Sequence, residues 1–377
     1  MKIGFDVSQT GASKAGCGYY ADGLIRALEA LDGGGHDFLL YPAFGDLFWD
    51  PRCATAAYST SHPRFRRLQP PASFEESRRF WARPEAGFES RIGSPDIVHS
   101  HNFFCPRGLK HARLIYTLHD LSFLVDPSWS TEANRVGCLD GVFGAAVRAD
   151  WVVANSEFTR RHFLEVFPHF PAERTRTIYA ASRYRLDAAA SPRPGRFSHL
   201  APDGYWLSVG SLEPRKNQRR LMEAYARSGS ALPLVLAGGK GWLMDDFQPP
   251  AGVELTGYVS DAELEWLYRH AFAFLYPSLF EGFGMPLLEA ISLGAPAVCS
   301  RVSSLPEVAG DGALLVDPLD AEAIADAMRH LSSGEASREA LRTAGLRQAA
   351  RFSWEASART LLEVYEEAVS FQQSAFS

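Results

Sequence analysis

Short apolar segments alternate with longer amphipathic segments along nearly the whole chain. The short segments are rich in β-branched and aromatic residues, which is typical of strands buried on both faces of a parallel sheet. The longer segments carry apolar residues at helical spacing, as crossover helices do. The pattern predicts an α/β protein with two sets of six strands, namely 3–7, 38–42, 96–99, 114–118, 151–155 and 177–179, then 205–209, 234–237, 253–256, 273–276, 297–300 and 313–316.

A segment rich in proline and glycine separates the two sets of strands. Ser191-Pro-Arg-Pro-Gly195 breaks both periodicities, and Pro202-Asp-Gly204 follows shortly after it. The 377 residues also exceed the length at which a single hydrophobic core stops growing. We therefore predict two doubly wound, Rossmann-like domains, residues 1–195 and 196–353. The last helix, within 354–377, is apolar along one face and is predicted to pack on the N-terminal domain.

Residues 58–92 form the least regular part of the chain and allow two interpretations. Glutamates dilute the basic charge of this stretch, which favours a solvated loop. The alternative is contact with an anionic bilayer. The stretch contains seven arginines among its phenylalanine and tryptophan residues: Arg64, Arg66, Arg67, Arg78, Arg79, Arg83 and Arg91, with Phe65, Phe74, Phe80, Trp81 and Phe88.

Composition excludes several classes of protein. The formal net charge of -6 gives the chain no overall attraction for nucleic acid, so an anionic ligand must be met by local groups. The five cysteines are scattered without a C-x-x-C pair, which favours a reducing cytoplasm and gives no support for zinc. The N-terminus lacks a long apolar leader, and no run of about 18 apolar residues occurs. We expect a cytoplasmic protein that is neither exported nor membrane-spanning.

The stretch from Glu281 to Glu289 is the strongest candidate for a ligand site. Its two carboxylates flank a Gly-Phe-Gly turn, and Pro286 suits the first turn of a helix that starts just after the turn. Gly282 and Gly284 let the backbone approach a ligand, and the amides at a helix start donate hydrogen bonds. Carboxylates at two depths beside such amides could hold a polyhydroxylated molecule. A sugar nucleotide fits this chemistry.

Polar residues also follow other predicted strands, where ligands of open α/β sheets collect. Gly210, Arg215 and Lys216 come after strand 205–209 and ahead of a helix, which favours contact with phosphate oxygens. His119 comes after strand 114–118 and is either a structural histidine or a ligand contact.

Two glycine-containing loops are weaker candidates. Gly16 and Gly18 lie in the loop after the first strand, which is either a plain turn or a phosphate contact. Gly257 and Tyr258 could line a base pocket.

Other standard chemistries lack their motifs. The sequence has no G-x-S-x-G elbow, no P-loop and no H-E-x-x-H. Because it also has no Asp-x-Asp pair, we predict no metal site, and a bound diphosphate would have to be neutralised by Arg215 and Lys216.

Taken together, these segments make the chain resemble the retaining glycosyltransferases of family 4 along almost its entire length. That family has the GT-B architecture, in which two Rossmann-like domains face a cleft. Within the family the motifs are most similar to those of bacterial mannosyl- and rhamnosyltransferases that build O-antigens, capsules and exopolysaccharides. The motifs are Tyr276-Pro-Ser-Leu-Phe-Glu281-Gly-Phe-Gly-Met-Pro-Leu-Leu-Glu289-Ala, Gly294-Ala-Pro-Ala-Val, Ser303-Ser-Leu-Pro-Glu-Val-Ala-Gly310, Gly210-Ser-Leu-Glu-Pro-Arg-Lys-Asn217, Gly257-Tyr-Val-Ser-Asp261 and Phe352-Ser-Trp-Glu355.

The resemblance implies a role for each candidate residue. Glu281 and the backbone after it would hold the donor sugar, and Glu289 would hold the ribose. Arg215 and Lys216 would hold the diphosphate, and His119 would face the sugar from the N-terminal domain. Cys17 between Gly16 and Gly18 departs from the commoner family forms. The implied catalytic residues are His119, Glu281, Arg215 and Lys216, and the implied donor-binding residues are Gly16, Gly18, Gly210, Arg215, Lys216, Tyr258, Glu281, Gly282, Phe283, Gly284, Met285 and Glu289.

The resemblance further implies transfer of a hexose, in the first place mannose from GDP-mannose, with retention and without a cofactor. The acceptor would be a saccharide or a lipid-linked saccharide in cell-surface polysaccharide synthesis, with peripheral contact at the inner membrane surface and no nucleic acid partner. Retention through departure and attack on the same face is favoured over a carboxylate nucleophile, because Glu281 is expected to bind sugar hydroxyls. The alternatives are a UDP- or dTDP-sugar donor, a sugar-nucleotide epimerase, and a non-catalytic binder of nucleotide sugars.

Overall fold

A computed structural model describes residues 1–11, 14–45, 57–68, 74–243 and 248–375. The chain forms two compact units. The first contains Met1–Leu124, Glu132–Ala180 and the C-terminal segment from Ser353, and the second contains Val125–Thr131 and Ala181–Phe352.

The first unit is built on a seven-stranded sheet in the order β3-β2-β1-β4-β5-β6-β7. All neighbouring strands are parallel, and the order reverses beside β1, as in a doubly wound fold. The strands are β1 Lys2–Asp6, β2 Asp37–Tyr41, β3 Phe65–Arg67, β4 Ile97–Ser100, β5 Arg113–Leu118, β6 Trp151–Ala154 and β7 Thr175–Thr177. The helices before the second unit are α1 Gly16–Ala30, α2 Phe74–Ala82, α3 Phe88–Arg91, α4 Ser122–Val125, whose last residue belongs to the second unit, α5 Glu132–Arg148 and α6 Glu157–Val166.

The second unit is built on a six-stranded parallel sheet in the order β10-β9-β8-β11-β12-β13. Its strands are β8 Trp206–Val209, β9 Leu234–Ala237, β10 Val253–Gly257, β11 Ala273–Tyr276, β12 Ala297–Ser300 and β13 Ala313–Val316. Its helices are α7 Gln218–Ser228, α8 Asp261–His270, α9 Met285–Ser292, α10 Leu305–Ala309, α11 Ala321–Ser333 and α12 Glu335–Ala349.

The hydrophobic cores lie between strands and crossover helices. In the first unit, Tyr116 and Leu118 of β5 pack with Val142 of α5 and Phe163 of α6. In the second unit, strands and helices such as α7 and α11 contribute to one buried cluster that includes Trp206, Leu221, Leu234, Leu275 and Met328. The prediction of two parallel-sheet α/β halves is confirmed.

The last helix, α13 Trp354–Ala375, lies in the first unit. Its buried face includes Leu361, Val364 and Tyr365, and the Tyr365 hydroxyl is 2.7 Å from His99 Nδ1. Trp354 packs against α1 at Gly23, where a Cβ atom would come within 2.4 Å of the indole. The apolar stripe of this helix is therefore part of the core of the first unit.

The stretch 58–92 is more regular than its sequence indicates. Each of the twelve predicted strands overlaps an observed strand, but β3 and the helices α2 and α3 were not predicted. β3 is a three-residue edge strand that pairs with β2, and its only apolar residue, Phe65, stacks on Phe38 with ring centroids 4.7 Å apart. Such a strand is too short to show the alternation on which the prediction depends.

The predicted domain boundary at residue 195 is displaced. The compact units divide between Ala180 and Ala181, because the following segment is held by polar contacts to the second unit. Arg183 forms an ion pair with Asp261 at 2.7 Å, and the backbone N–H of Ser191 donates to Glu265 Oε2 at 3.3 Å. Proline and glycine interrupt periodicity whichever unit the segment contacts, so the sequence pattern could not locate the boundary more closely.

Candidate active site

The central turn of the site connects β11 to α9. The helix begins at Met285 with Pro286 in its first turn, and Gly284 before it has φ +101°. A Cβ atom on Gly284 would lie 2.7 Å from Leu305 Cδ2, so both the backbone conformation and the space require glycine. The predicted helix N-terminus is thus present at this position.

Two serines after β12 hold the turn in place. Ser303 Oγ accepts a hydrogen bond from the Glu281 N–H at 2.9 Å. Ser304 Oγ lies 2.9 Å from the Glu281 carbonyl and 2.8 Å from the Phe283 carbonyl, and shares its proton between them. Ser303 has φ +55°, a strained conformation for a residue with a side chain. Both serines lie in a motif of the sequence, directly after a strand, but the sequence analysis assigned them no role.

Glu281 is a buried carboxylate held by two cations. Its Oε2 lies 2.9 Å from Arg215 Nη1, its Oε1 lies 2.7 Å from Lys216 Nζ, and its side chain is only 8% exposed. Burial by itself raises the pKa of Glu281, but the charges of Lys216 and Arg215 outweigh burial and lower the pKa to about 2. The carboxylate therefore stays ionised and can only accept hydrogen bonds.

The two cations come from a 3-10 turn, Pro214–Lys216, that follows β8. Arg215 also donates to the Phe280 carbonyl and to Glu213 Oε1, each at 2.7 Å. Lys216 also donates to the Tyr276 hydroxyl at 2.8 Å. The two cations and the two glutamates sum to zero formal charge, so a diphosphate here would have to share cations that are already balanced. Glu213 lies within one of the sequence motifs, but its part in this charge balance was not predicted.

Glycines let the neighbouring loops approach each other. A Cβ atom on Gly238, after β9, would lie 2.1 Å from the Gly210 carbonyl oxygen, which leaves room only for hydrogen. Leu212 donates its N–H to the Gly239 carbonyl at 3.1 Å. Gly210 therefore lies in a loop that packs on its neighbour just before the turn that carries Arg215 and Lys216.

Glu289 lies on α9 and is 2% exposed. It is bridged by Arg183, whose Nε and Nη2 lie 2.7 and 3.2 Å from its two oxygens, and the Tyr268 hydroxyl donates to it at 3.2 Å. Nothing in the local sequence around Arg183 indicates this contact, because the two residues are 106 positions apart.

Tyr258 follows β10 and is 64% exposed, so its ring face is accessible. Gly257 before it has φ +66°, and Arg196 donates to the Tyr258 carbonyl at 3.2 Å. These contacts do not test the role predicted for Tyr258 in a base pocket, and that role stays a prediction.

His119 belongs to the first unit and follows β5. Its Nε2 is 2.7 Å from the His101 carbonyl oxygen, so Nε2 carries the proton and the neutral ring keeps Nδ1 as an acceptor. Burial lowers the pKa of His119, and burial also lowers the pKa of His99 to about 3. Tyr20 meets the His119 ring edge-on at 5.6 Å. His119 is therefore a fixed, neutral imidazole.

Gly16 and Gly18 do not lie in the predicted loop, because both belong to the first turn of α1, and their environments differ. A Cβ atom on Gly18 would lie 2.1 Å from the Gln9 carbonyl, which is a packing reason for glycine. Gly16 begins α1, is exposed, and has open space around it. Phosphate contact by this loop stays a prediction.

Comparison with known proteins shows the family to which the chain belongs. The family model described as Glycosyltransferase Family 4 matches residues 15–181, and the model described as Glycosyl transferases group 1 matches residues 196–348. O-antigen chain mannosyltransferase B of Escherichia coli is 35% identical over 286 residues, which cover 72% of this chain and 74% of the relative. Serotype-specific mannosyltransferase WbdA of Escherichia coli is 29% identical over 312 residues, which cover 72% of this chain and 36% of WbdA.

Solved structures share the fold at low sequence identity. Sucrose-phosphate synthase from Thermosynechococcus elongatus superimposes with a TM-score of 0.73 at 21% identity, covering 100% of both chains. Anabaena Alr3699/HepE in complex with UDP and glucose gives a TM-score of 0.71 at 19% identity, covering 97% of this chain and 100% of that one.

Two parallel-sheet α/β units with this glutamate-bearing turn define a glycosyltransferase of the GT-B fold. The chain belongs to glycosyltransferase family 4, whose group 1 domain forms its second half.

The charge balance at Glu281 predicts a defined acid sensitivity. Because the pKa of Glu281 in the folded state lies below the ordinary value of 4.5, its ion pairs stabilise the fold above about pH 4.5. This contribution is lost as the pH falls toward 2. We expect Glu281→Gln to lower the free energy of unfolding by about 3 kcal/mol near neutral pH, and by progressively less as the pH is lowered. Urea denaturation at several pH values measures this difference.

Glu339→Gln is the matched control, because Glu339 lies in the same unit and its side chain is 69% exposed. Its effect should stay small at every pH. The assigned ion pairing would be contradicted if the loss of unfolding free energy in Glu281→Gln stayed constant or grew as the pH was lowered.

Proposed function

We propose that the protein transfers a hexose from a nucleotide sugar to a saccharide or lipid-linked saccharide with retention of configuration. The donor we propose first is GDP-mannose, and the setting is cell-surface polysaccharide synthesis. The observation that carries the proposal is the ionised Glu281, held by Arg215 and Lys216 at the turn before α9. The mannosyl assignment is supported by the names of the two Escherichia coli relatives.

The low pKa of Glu281 decides which chemistry this carboxylate can perform. A carboxyl group that stays ionised cannot serve as a general acid, and two cations at 2.7 and 2.9 Å reduce its nucleophilicity. Accepting hydrogen bonds from donor hydroxyls remains open to it, since an ionised carboxylate is a strong acceptor. This supports a positioning role for Glu281, and with it departure and attack on the same face of the sugar.

The leaving nucleoside diphosphate develops negative charge that the site must stabilise. Arg215 and Lys216 contact Glu281 in the turn, and the N-terminus of α9 adds the partial positive charge of its backbone dipole. Lys216 has three donor hydrogens, and within the described part of the chain its ammonium group contacts Glu281 and Tyr276. The remaining donor is available to a phosphate oxygen without breaking either contact.

His119 supplies a complementary group in the first unit. With Nε2–H bound to the His101 carbonyl, Nδ1 would accept a hydrogen bond from a sugar hydroxyl. A neutral imidazole in this tautomer orients a sugar and does not add a second positive charge.

Diphosphate release from a panel of sugar nucleotides tests the proposal. We expect GDP-mannose to give the fastest release of nucleoside diphosphate among the sugar nucleotides. This release should be slow without an acceptor. A chelator should leave its rate unchanged, because the proposed reaction uses no resident metal. Faster release from a UDP- or dTDP-sugar would change the donor but keep the reaction. Epimerisation of the sugar, or binding without any release, would contradict the transferase assignment.

Lys216→Met should separate catalysis from folding. We expect kcat to fall by about 100-fold or more, because the ammonium contact to the departing diphosphate is lost. Some loss of stability should accompany it, since Glu281 then keeps only Arg215. The measurement combines steady-state kinetics with thermal unfolding of the same preparation.

Arg227→Met is the control for Lys216→Met, because Arg227 is an exposed cation on α7 that pairs with Glu223 and Glu322. Its kcat should stay within about twofold of the wild type. A Lys216→Met enzyme with wild-type kcat would remove the phosphate assignment.

We also propose peripheral contact of the first unit with an anionic membrane surface. In the described part of the chain, helices that combine the length and apolarity needed to cross a bilayer are absent. A cavity of about 740 Å³ opens instead beside α2. Its lining includes the buried Tyr41, Trp81 and Ile92 and the exposed Arg79 and Arg83. The Trp81 and Tyr41 donors are already bound to the Ala43 and Ile92 carbonyls, so the floor offers mainly apolar surface. The charged lining has a net charge of +1 and consists of Arg79, Arg83, Arg91, Glu76 and Glu85. This combination suits an anionic amphiphile.

Vesicle sedimentation tests this membrane contact. We expect the protein to bind phosphatidylglycerol vesicles and not phosphatidylcholine vesicles, with Arg79→Gln/Arg83→Gln at least about fivefold weaker. Arg78→Gln, on the same helix but outside the cavity lining, should lose less. Equal binding to both lipids, or no binding, would contradict the contact.

A further inference from the structure

Arg183 makes contacts within the second unit that the proposed reaction does not use. Its guanidinium donates to Glu289 through Nε at 2.7 Å and through Nη2 at 3.2 Å. Its Nη1 donates to Asp261 Oδ1 at 2.7 Å. The guanidinium also lies over the Tyr184 ring, 5.0 Å from the centroid. One side chain thus bridges α8 and α9.

These contacts cover the Glu289 carboxylate. One Glu289 oxygen accepts from Arg183 Nε, and the other accepts from Arg183 Nη2 and the Tyr268 hydroxyl. The Glu289 side chain is 2% exposed, whereas that of Arg183 is 19% exposed. A ligand that approaches from solvent therefore meets Arg183 before it meets Glu289.

We propose that Arg183 controls donor affinity by competing with the ribose hydroxyls for Glu289. The inference rests on the proposed function, in which Glu289 holds the donor ribose. In the free protein the Arg183 guanidinium is bound to the Glu289 carboxylate. When the nucleotide binds, the ribose diol replaces the guanidinium as the partner of Glu289.

Asp261 makes the exchange feasible. Its side chain is 57% exposed and lies 2.7 Å from Arg183 Nη1. The displaced guanidinium can therefore keep one carboxylate partner while it gives up the other. The positive charge is not left unpaired, and Glu289 receives two hydroxyl donors in place of two N–H donors.

Competition has a definite sign. Part of the binding free energy of the ribose is used to break the bidentate contact between Arg183 and Glu289, so the apparent affinity is lower than the intrinsic affinity. Removal of Arg183 abolishes this competition. If Arg183 instead oriented Glu289 for the ribose, its removal would weaken binding, so the two roles predict opposite changes.

Isothermal titration of the full-length protein with GDP tests the proposal. We expect Arg183→Ala to bind GDP about tenfold more tightly than the wild type, and Arg183→Lys, which cannot form the bidentate contact, to fall between them. The gain should vanish with 2′,3′-dideoxy-GDP, which lacks the ribose hydroxyls. If UDP or dTDP is the nucleotide that binds, the same series is run with it and its dideoxy form.

Arg185→Ala is the matched control. Arg185 lies two positions along the same segment, its side chain is 77% exposed, and it pairs with Asp187 at 2.7 Å. Its affinity for GDP should equal that of the wild type.

The outcomes distinguish this inference from the proposed function. Weaker or unchanged nucleotide binding by folded Arg183→Ala, or by Arg183→Lys if the alanine variant does not fold, would overturn the competition. A gain that persists with the dideoxy nucleotide would also overturn it, because the ribose would not be the competitor. Failure of the wild type to bind any of the three nucleoside diphosphates would instead overturn the proposed function, and the competition with it.

Discussion

The candidate site depends on burying two carboxylates within one turn and one short helix. An ionised carboxylate that leaves water is strongly destabilised unless cations and hydrogen-bond donors replace the lost hydration. Glu281 obtains this compensation from Arg215 and Lys216, and Glu289 obtains it from Arg183 and Tyr268. Arg215 and Lys216 both come from the 3-10 turn after β8, and they hold the turn that carries Glu281. Tyr268 comes from α8 and Arg183 from the segment at 181–187, and both hold α9 through Glu289.

This compensation also defines the chemistry. Because the pKa of Glu281 is lowered to about 2, the group is a permanent acceptor, and the roles of general acid and free nucleophile are closed to it. The cations beside it are not surplus charge, since Glu213 and Glu281 already balance them. A departing diphosphate would have to share these cations with the carboxylates that already balance them. In the proposed reaction, stabilisation of the leaving group and positioning of the sugar would therefore use the same ion pairs.

The first unit uses burial differently. Two of its histidines are buried and kept neutral. His119, after β5, is bound to the His101 carbonyl, and His99, within β4, is bound to Tyr365 of the last helix. Arg79 and Arg83 are exposed around α2, where they line a cavity together with Glu76 and Glu85. The second unit thus places paired charge at its candidate site, whereas the first keeps the buried His119 neutral.

The sequence by itself determined the α/β class, twelve of the thirteen strands found in the described residues, and a helix start beside Pro286, because these follow from periodicity and from the backbone limits of proline and glycine. Motif spacing in the sequence also identified the candidate site residues Glu281, Glu289, Arg215 and Lys216. Only the tertiary structure decided that Glu213 completes the charge balance, that Arg183 covers Glu289 across 106 positions, and that the units divide after Ala180. It also revealed β3, whose pairing depends on backbone groups of β2 more than on its own three side chains. The physical reason is that ion pairs and edge-strand pairing depend on where segments distant in sequence meet in the fold. The local sequence pattern does not determine where they meet.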